Sequence, residues 1–142
     1  MILIAHRGNL KGRNIKEENE PGYVGKALEK GFDVEIDVWF KDNGWWLGHD
    51  EPQYKTNLEF LKTKGLWCHA KNLSALEKML ENKVHCFWHE EDERVLTSKG
   101  FVWTYPGKAL GKNSIAVMPE QVSGWDISKA LGVCSDNLMK YK

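Results

Sequence analysis

The 142-residue chain has few of the features that mark secreted, membrane or nucleic-acid-binding proteins. Its three cysteines, Cys68, Cys86 and Cys134, form no C-x-x-C pair, which excludes a disulfide framework and favours reduced core thiols in a cytoplasmic protein. No apolar run has transmembrane length, and the run within MILIAHRG is too short for a signal peptide. Lysine plus arginine equals aspartate plus glutamate at 20 each, without a basic tract, so no nucleic-acid footprint is evident. We therefore expect one cytoplasmic domain over residues 1–142, with no nucleic acid and no stable membrane insertion; the composition indicates no particular oligomeric state.

Aromatic residues, by contrast, are plentiful. Seven tryptophans are many for a chain of this length, and hydrophobic residues make up 42% of the sequence, enough for a substantial core. The tryptophans are interpreted either as large core residues of a small domain or, for some of them, as the lining of a substrate cleft.

The stretch Phe32 to Asp50 carries the densest chemical pattern. From Asp33 to Val38 apolar and acidic residues alternate, which predicts a β-strand with Glu35 and Asp37 on one face, roughly 6.5–7 Å apart. The turn signal Asp42-Asn43-Gly44 and a short apolar return predict a hairpin that brings His49-Asp50 back towards the carboxylates. Such a group indicates a metal site or a proton-transfer site.

The rest of the chain alternates between predicted strands and short helices. Further strands are predicted at residues 2–5, 66–71, 84–88, 101–105, 115–118 and 132–135. Helices are predicted to start at Pro21, over residues 56–64, after a Ser74-x-x-Glu77 capping box, and over residues 92–98 and 120–131. Because polar residues follow nearly every strand, we predict a reduced (β/α) TIM-type barrel of about seven to eight parallel strands, with a doubly wound open sheet as the alternative.

At the level of motifs, the chain resembles the glycerophosphodiester phosphodiesterases and the related sphingomyelinase D enzymes. The resemblance rests on five motifs in order: His6-Arg7-Gly8, Glu18-Asn19, Glu35-x-Asp37, Asp42-x-Gly44 and His49-Asp50. Lys71 stands where the family often has a lysine on its third strand, and Ser135-Asp136 is similar to its closing T-D.

The resemblance implies a (β/α) barrel that cleaves a phosphodiester with the help of a divalent cation. It makes His6 and His49 the acid–base pair and Glu35 and Asp37 ligands of Mg²⁺, Mn²⁺ or Ca²⁺. It implies that Arg7 and Lys71 bind the substrate phosphate. The supporting residues are Glu18, Asn19, Asp50 and Trp103. Trp103 is expected either at the mouth of the barrel or in its core. His69 stands where the family commonly has a third metal carboxylate, so it is interpreted as a metal ligand or as a phosphate donor. His85 and His89 are interpreted as structural or peripheral.

Three functions follow from these residues. The first is metal-assisted hydrolysis of a phosphodiester such as a glycerophosphodiester. The second is a sphingomyelinase D-like transphosphatidylation, in which a substrate hydroxyl attacks and a cyclic phosphate forms. The third is non-catalytic binding of a phosphate ligand by a shortened barrel.

Overall fold

The computed structural model describes residues 1–142 as ten strands, three α-helices and two short 3₁₀ helices. The strands are β1 (Ile2–His6), β2 (Asp33–Lys41), β3 (Gly44–Leu47), β4 (Tyr54–Thr56), β5 (Leu66–Ala70), β6 (Cys86–Trp88), β7 (Arg94–Leu96), β8 (Val102–Thr104), β9 (Ser114–Val117) and β10 (Gly132–Ser135). The helices are α1 (Pro21–Glu29), α2 (Leu58–Leu61) and α3 (Leu73–Glu81), with 3₁₀ turns at Pro119–Gln121 and Leu138–Tyr141. None of these helices combines the length and apolar character needed to span a bilayer.

All ten strands join one mixed sheet. The order β6-β5-β2-β1-β10-β9-β8 is parallel throughout, and β7 adds to β8 in the antiparallel direction. The long strand β2 extends beyond its parallel neighbours, and its last residues pair antiparallel with β3, which pairs in turn with β4. The hairpin predicted from Asp42-Asn43-Gly44 is confirmed, because Lys41 pairs with Gly44 across it.

The fold is not the predicted (β/α) barrel. The mixed ten-stranded sheet forms a half-barrel, and only 20% of the residues are helical. The sheet curls until its two ends approach: the Phe87 ring of β6 lies 4.9 Å from the Trp103 ring of β8. However, β6 pairs only with β5, so no continuous strand ladder closes the ring. The prediction failed because the later connections contain no α-helix, and a TIM barrel needs a helix after every strand.

Two of the predicted helices are absent. Residues 92–98 contain strand β7, in which Val95 pairs with Trp103 and packs on the inner core, so tertiary contacts override the local helical tendency. Within residues 120–131 the only helical part is the end of the 3₁₀ turn, since Gly124 has a φ of 76° and breaks the run. The predicted capping box is also wrong: α3 begins two residues earlier, with Asn72 as the N-cap whose side chain accepts the Ala75 N–H at 3.0 Å.

The alternation of each strand divides the core between two faces of the sheet. Val34, Ile36 and Val38 pack on the outer face with the helices, as the sequence predicts. The inner face is filled by a separate cluster that includes Ile4, Trp67, Phe87, Trp103, Ile115, Val117 and Cys134. Since side chains two residues apart share a face, the residues that follow Ile4 and Trp67 by two positions, His6 and His69, also lie on the inner face.

Candidate functional site

A cavity of about 260 Å³ lies at the carboxyl ends of the parallel strands, next to the inner aromatic cluster. Four of the five histidines of the chain line it: His6, His49, His69 and His89. Of the residues predicted from the sequence, the cavity wall also includes Arg7, Glu35, Asp37 and Trp103. The ends of β1, β2, β5 and β8 and the turn after β3 therefore bring together most of the predicted site, although the sheet that carries them is not a TIM barrel.

The centre of the site is a group of three potential metal ligands. Strand β2 presents Glu35 and Asp37, and β5 presents His69, whose backbone pairs with that of Asp37. One ligand atom from each of the three residues lies within 4.8 Å of the other two. The period-2 alternation predicted from the sequence produces this arrangement directly.

Asp37 is surrounded by hydrogen-bond donors and cations. Its Oδ2 accepts from the Asn19 side-chain amide at 2.9 Å and lies 3.1 Å from Arg7 Nε, while its Oδ1 lies 3.2 Å from His69 Nδ1. Burial acts to raise the pKa of Asp37, but the His69 hydrogen bond and the Arg7 charge outweigh it and hold the pKa below its usual range. These contacts therefore favour the ionised form of Asp37, although its residue is only 1% exposed.

Glu35 has the opposite environment. Its Oε2 is buried without a hydrogen-bond partner and lies 3.8 Å from His6 Nε2, while its Oε1 lies 3.9 Å from His69 Nδ1. Burial and the negative charge of Asp37 raise the pKa of Glu35. A buried carboxylate oxygen without a partner is unfavourable unless a cation or a proton meets it, so the donor set fits a hard divalent ion held by Glu35, Asp37 and His69.

His6 is oriented by a residue at the other end of the chain. Its Nδ1 lies 2.8 Å from Asp136 Oδ1, a contact between residues 130 positions apart, so Nδ1–H donates to the carboxylate and Nε2 faces Glu35. Burial lowers the pKa of His6, but the Asp136 hydrogen bond and the Glu35 charge outweigh it and raise the pKa above the ordinary histidine value. Asn9 is completely buried and donates to the same Asp136 oxygen at 2.8 Å. Asn9 was not singled out from the sequence, and Asp136 was noted only as part of the Ser135-Asp136 motif, with no role in orienting His6.

The loop after β1 braces Arg7. Arg7 Nη1 donates to Glu18 Oε1 at 3.1 Å, and Glu18 also binds the half-exposed Arg13 at 3.1 Å. Arg7 and Asn19 both adopt left-handed backbone conformations, with φ of 55° and 67°, and the Asn19 N–H donates to the Arg7 carbonyl at 3.0 Å. Such conformations are uncommon outside glycine and often mark functional sites. The supporting roles predicted for Glu18 and Asn19 are consistent with these contacts.

His49 lies at the rim of the cavity. The turn that carries it depends on Gly48, where an added Cβ would come within 2.0 Å of the Glu51 carbonyl. The His49 side chain is 40% exposed, and its Nδ1 lies 2.8 Å from Asp50 Oδ1, whose own side chain is 91% exposed. His49 is therefore accessible to a ligand, whereas His6 is enclosed.

Lys71 lies beside the three potential metal ligands rather than in the cavity wall. Its Nζ is 4.0 Å from Asp37 Oδ1, and its side chain is 18% exposed. The position allows it to add positive charge to the site.

The far wall of the cavity contains Tyr105 and Met118, which the sequence analysis did not single out, and His89, which it interpreted as structural or peripheral. The His89 ring stacks on Tyr105 with centroids 3.9 Å apart, and His69 Nε2 lies 3.4 Å from the His89 carbonyl. Burial and the neighbouring His69 lower the pKa of His89. Met118 completes this wall in a left-handed conformation with φ 47°. His89 and Tyr105 each follow directly after a strand end, the signal by which both could have been found. His85, in contrast, lies away from this cavity: it is buried at the other end of β6, and its Nε2 lies 3.0 Å from Thr97 Oγ1.

Comparison with protein-family models, with curated proteins and with solved structures found no match.

Proposed function

We propose that the protein hydrolyses a phosphodiester with the help of a divalent cation, in the manner of the glycerophosphodiester phosphodiesterases that its motifs resemble. The observation that carries the proposal is the unpartnered oxygen of Glu35 beside Asp37 and His69, in a cavity that also holds His6, Arg7 and His49. A phosphodiester resists attack because its anionic oxygens repel nucleophiles, so a site for it requires positive charge and proton transfer together.

One group of residues in and beside the cavity would neutralise the negative charge of the phosphodiester. Glu35, Asp37 and His69 would hold the cation, which when bound neutralises the phosphate and polarises its P–O bonds. Arg7 contributes a guanidinium that Asp37 and Glu18 hold in a fixed orientation, at 3.1 Å from each. Lys71 adds a second positive charge 4.0 Å from Asp37.

Proton transfer is the task of His6 and His49. Hydrolysis requires one group to take a proton from the attacking water and another to give a proton to the departing alkoxide. The Nδ1 atom of each imidazole lies at hydrogen-bond distance from a carboxylate, that of Asp136 for His6 and that of Asp50 for His49. Nε2 of each ring is therefore left for proton transfer. The enclosed His6 and the exposed His49 reach the same cavity, as the two roles require.

A second function, binding of a phosphate ligand without cleavage, is favoured by the contacts of Asp37. Both oxygens of Asp37 already have partners, namely Asn19, Arg7 and His69. The carboxylate charge can therefore be balanced without a metal ion, and a site without a metal ion would bind phosphate without cleaving it. The same experiment separates the two functions.

The test is a panel of phosphodiesters incubated with Mg²⁺, Mn²⁺ or Ca²⁺ and followed by phosphorus NMR. Hydrolysis gives a phosphomonoester and an alcohol, whereas transfer to a substrate hydroxyl gives a cyclic phosphate. His49→Ala should lose about 10²–10⁴ of the rate while remaining folded. Glu51→Gln is the matched control, since it changes an exposed residue of the same turn and leaves His49 and its partner Asp50 in place, and it should retain most of the activity. Binding without turnover would favour the second function, and a folded His49→Ala protein with wild-type turnover would remove His49 from the mechanism.

A further inference from the structure

A larger cavity, of about 630 Å³, lies at the opposite end of the parallel strands. Its walls are the first residues of β1, β2 and β5 together with the segments that precede β5, β6 and β8. We call it the basal cavity. It shares no lining residue with the candidate site, so nothing in the proposed function accounts for it.

Positive charge is concentrated around the basal cavity. Four lysines from three separate segments line it: Lys62, Lys64, Lys83 and Lys99. Its one acidic residue, Asp33, accepts a hydrogen bond from the Trp67 indole at 2.9 Å. Because the chain as a whole has no net charge, this is a local excess rather than the average of the surface.

Burial and the charge of Lys99 lower the pKa of a histidine next to the cavity. His85, which also lines the cavity, is 8% exposed, and burial together with the Lys99 charge lowers its pKa to about 4. His85 is therefore neutral near pH 7, and the lysines are the cations that an incoming ligand would meet.

Backbone donors add to the lysines at one lip of the cavity. The N–H groups of Lys64 and Gly65 donate to no other backbone group. Gly65 has a φ of 93°, and a Cβ there would come within 2.9 Å of Asp33 Oδ1, so this loop path requires glycine. Consecutive free N–H groups in such turns commonly bind anions.

We propose that the basal cavity binds a small organic phosphate. Lysines and free backbone N–H groups are the donors that phosphate groups use in proteins. The lining also includes the apolar residues Ile2, Leu66 and Phe101, which suit the carbon skeleton of such a ligand. The volume lies within the range of small-molecule sites.

The experiment is a titration of the protein in EDTA with three probes: inorganic phosphate, pyrophosphate and adenosine monophosphate. Amide chemical shifts in ¹H–¹⁵N spectra report where each probe binds. We expect adenosine monophosphate to shift the amides of Lys64, Gly65 and Lys83, and not those of His6 and Arg7. The double variant Lys83→Gln/Lys99→Gln should bind about tenfold more weakly, because it removes two of the four charges. The charge-matched control Lys112→Gln/Lys129→Gln, which changes two exposed lysines outside the cavity, should bind as the wild type does.

Several results would overturn the proposal. They are the absence of binding by any probe at millimolar concentration, shifts confined to the residues of the candidate site, and equal weakening in the control variant. Binding of polynucleotides or of anionic vesicles without binding of the small phosphates would also contradict it. None of these results depends on whether the protein cleaves phosphodiesters.

Discussion

Glu35 and Asp37 are two buried carboxylates on one strand face, and neutralising each one should change stability in opposite directions. Glu35 is 3% exposed with an unpartnered oxygen, and burial beside Asp37 raises its pKa. An isolated buried charge of this kind costs several kcal/mol, which the distant contacts with His6 and His69 offset only in part. In the absence of metal, Glu35→Gln should therefore raise the free energy of unfolding by about 1–2 kcal/mol.

Asp37→Asn should lower the free energy of unfolding by about 3 kcal/mol or more. The change keeps the shape of the side chain, but it leaves Arg7 and His69 facing a neutral amide. Removing one partner of a buried ion pair is strongly destabilising because the other charge remains buried. Asparagine has one acceptor oxygen where aspartate has two, so it cannot accept from Asn19 on one side and from His69 on the other at the same time.

The assay is urea unfolding at pH 7.5 in EDTA, followed by tryptophan fluorescence, with the exposed Glu51→Gln as control. The control should change stability by less than about 0.5 kcal/mol. The measurement is then repeated with Mn²⁺ at about 100 times its Kd, where the wild type should gain about 2.7 kcal/mol and Glu35→Gln should gain little. If Glu35→Gln and Asp37→Asn destabilise the metal-free protein alike, Glu35 is not an uncompensated charge and the metal site loses its main support.

Three further predictions concern the fold. Reductant should leave the melting temperature unchanged, because the three cysteines are buried and free, and a large drop would reveal a bridge. The free energy of unfolding should fall as pH decreases from about 6.5 to about 4, because the unfolded chain protonates His85 while the folded protein keeps it neutral. The loss is at most about 3 kcal/mol. His85→Phe should not show this step in its pH profile. Asn9→Ala should lower the unfolding free energy by about 2–4 kcal/mol in urea, because Asn9 links Asp136, Glu18 and Tyr23; an unchanged value would show that these bonds are dispensable.

Local patterns were sufficient for half of the candidate site. Glu35 and Asp37 share a face because side chains alternate along a strand, and His69 meets them because it occupies the same phase of the neighbouring strand. The hairpin that returns His49 is encoded in Asp42-Asn43-Gly44, whose residues tolerate the positive φ that tight turns require. These are short-range properties, so they can be read from the order of residues.

Contacts between distant parts of the chain decided the rest. The pairing of Asp136 with His6 and the arrival of His89 at the cavity depend on which strands become neighbours, and the sequence does not state this. Short segments such as residues 94–96 have weak intrinsic preferences, so pairing with β8 made a strand where a helix was predicted. For the same reason strand-then-helix periodicity favoured a complete (β/α) barrel, whereas the later connections pack without helices and leave a half-barrel. The sequence thus determined which residue types form the site. Tertiary packing decided which residues become their partners and how the sheet curves, because strand pairing depends on long-range contacts that local propensity does not specify.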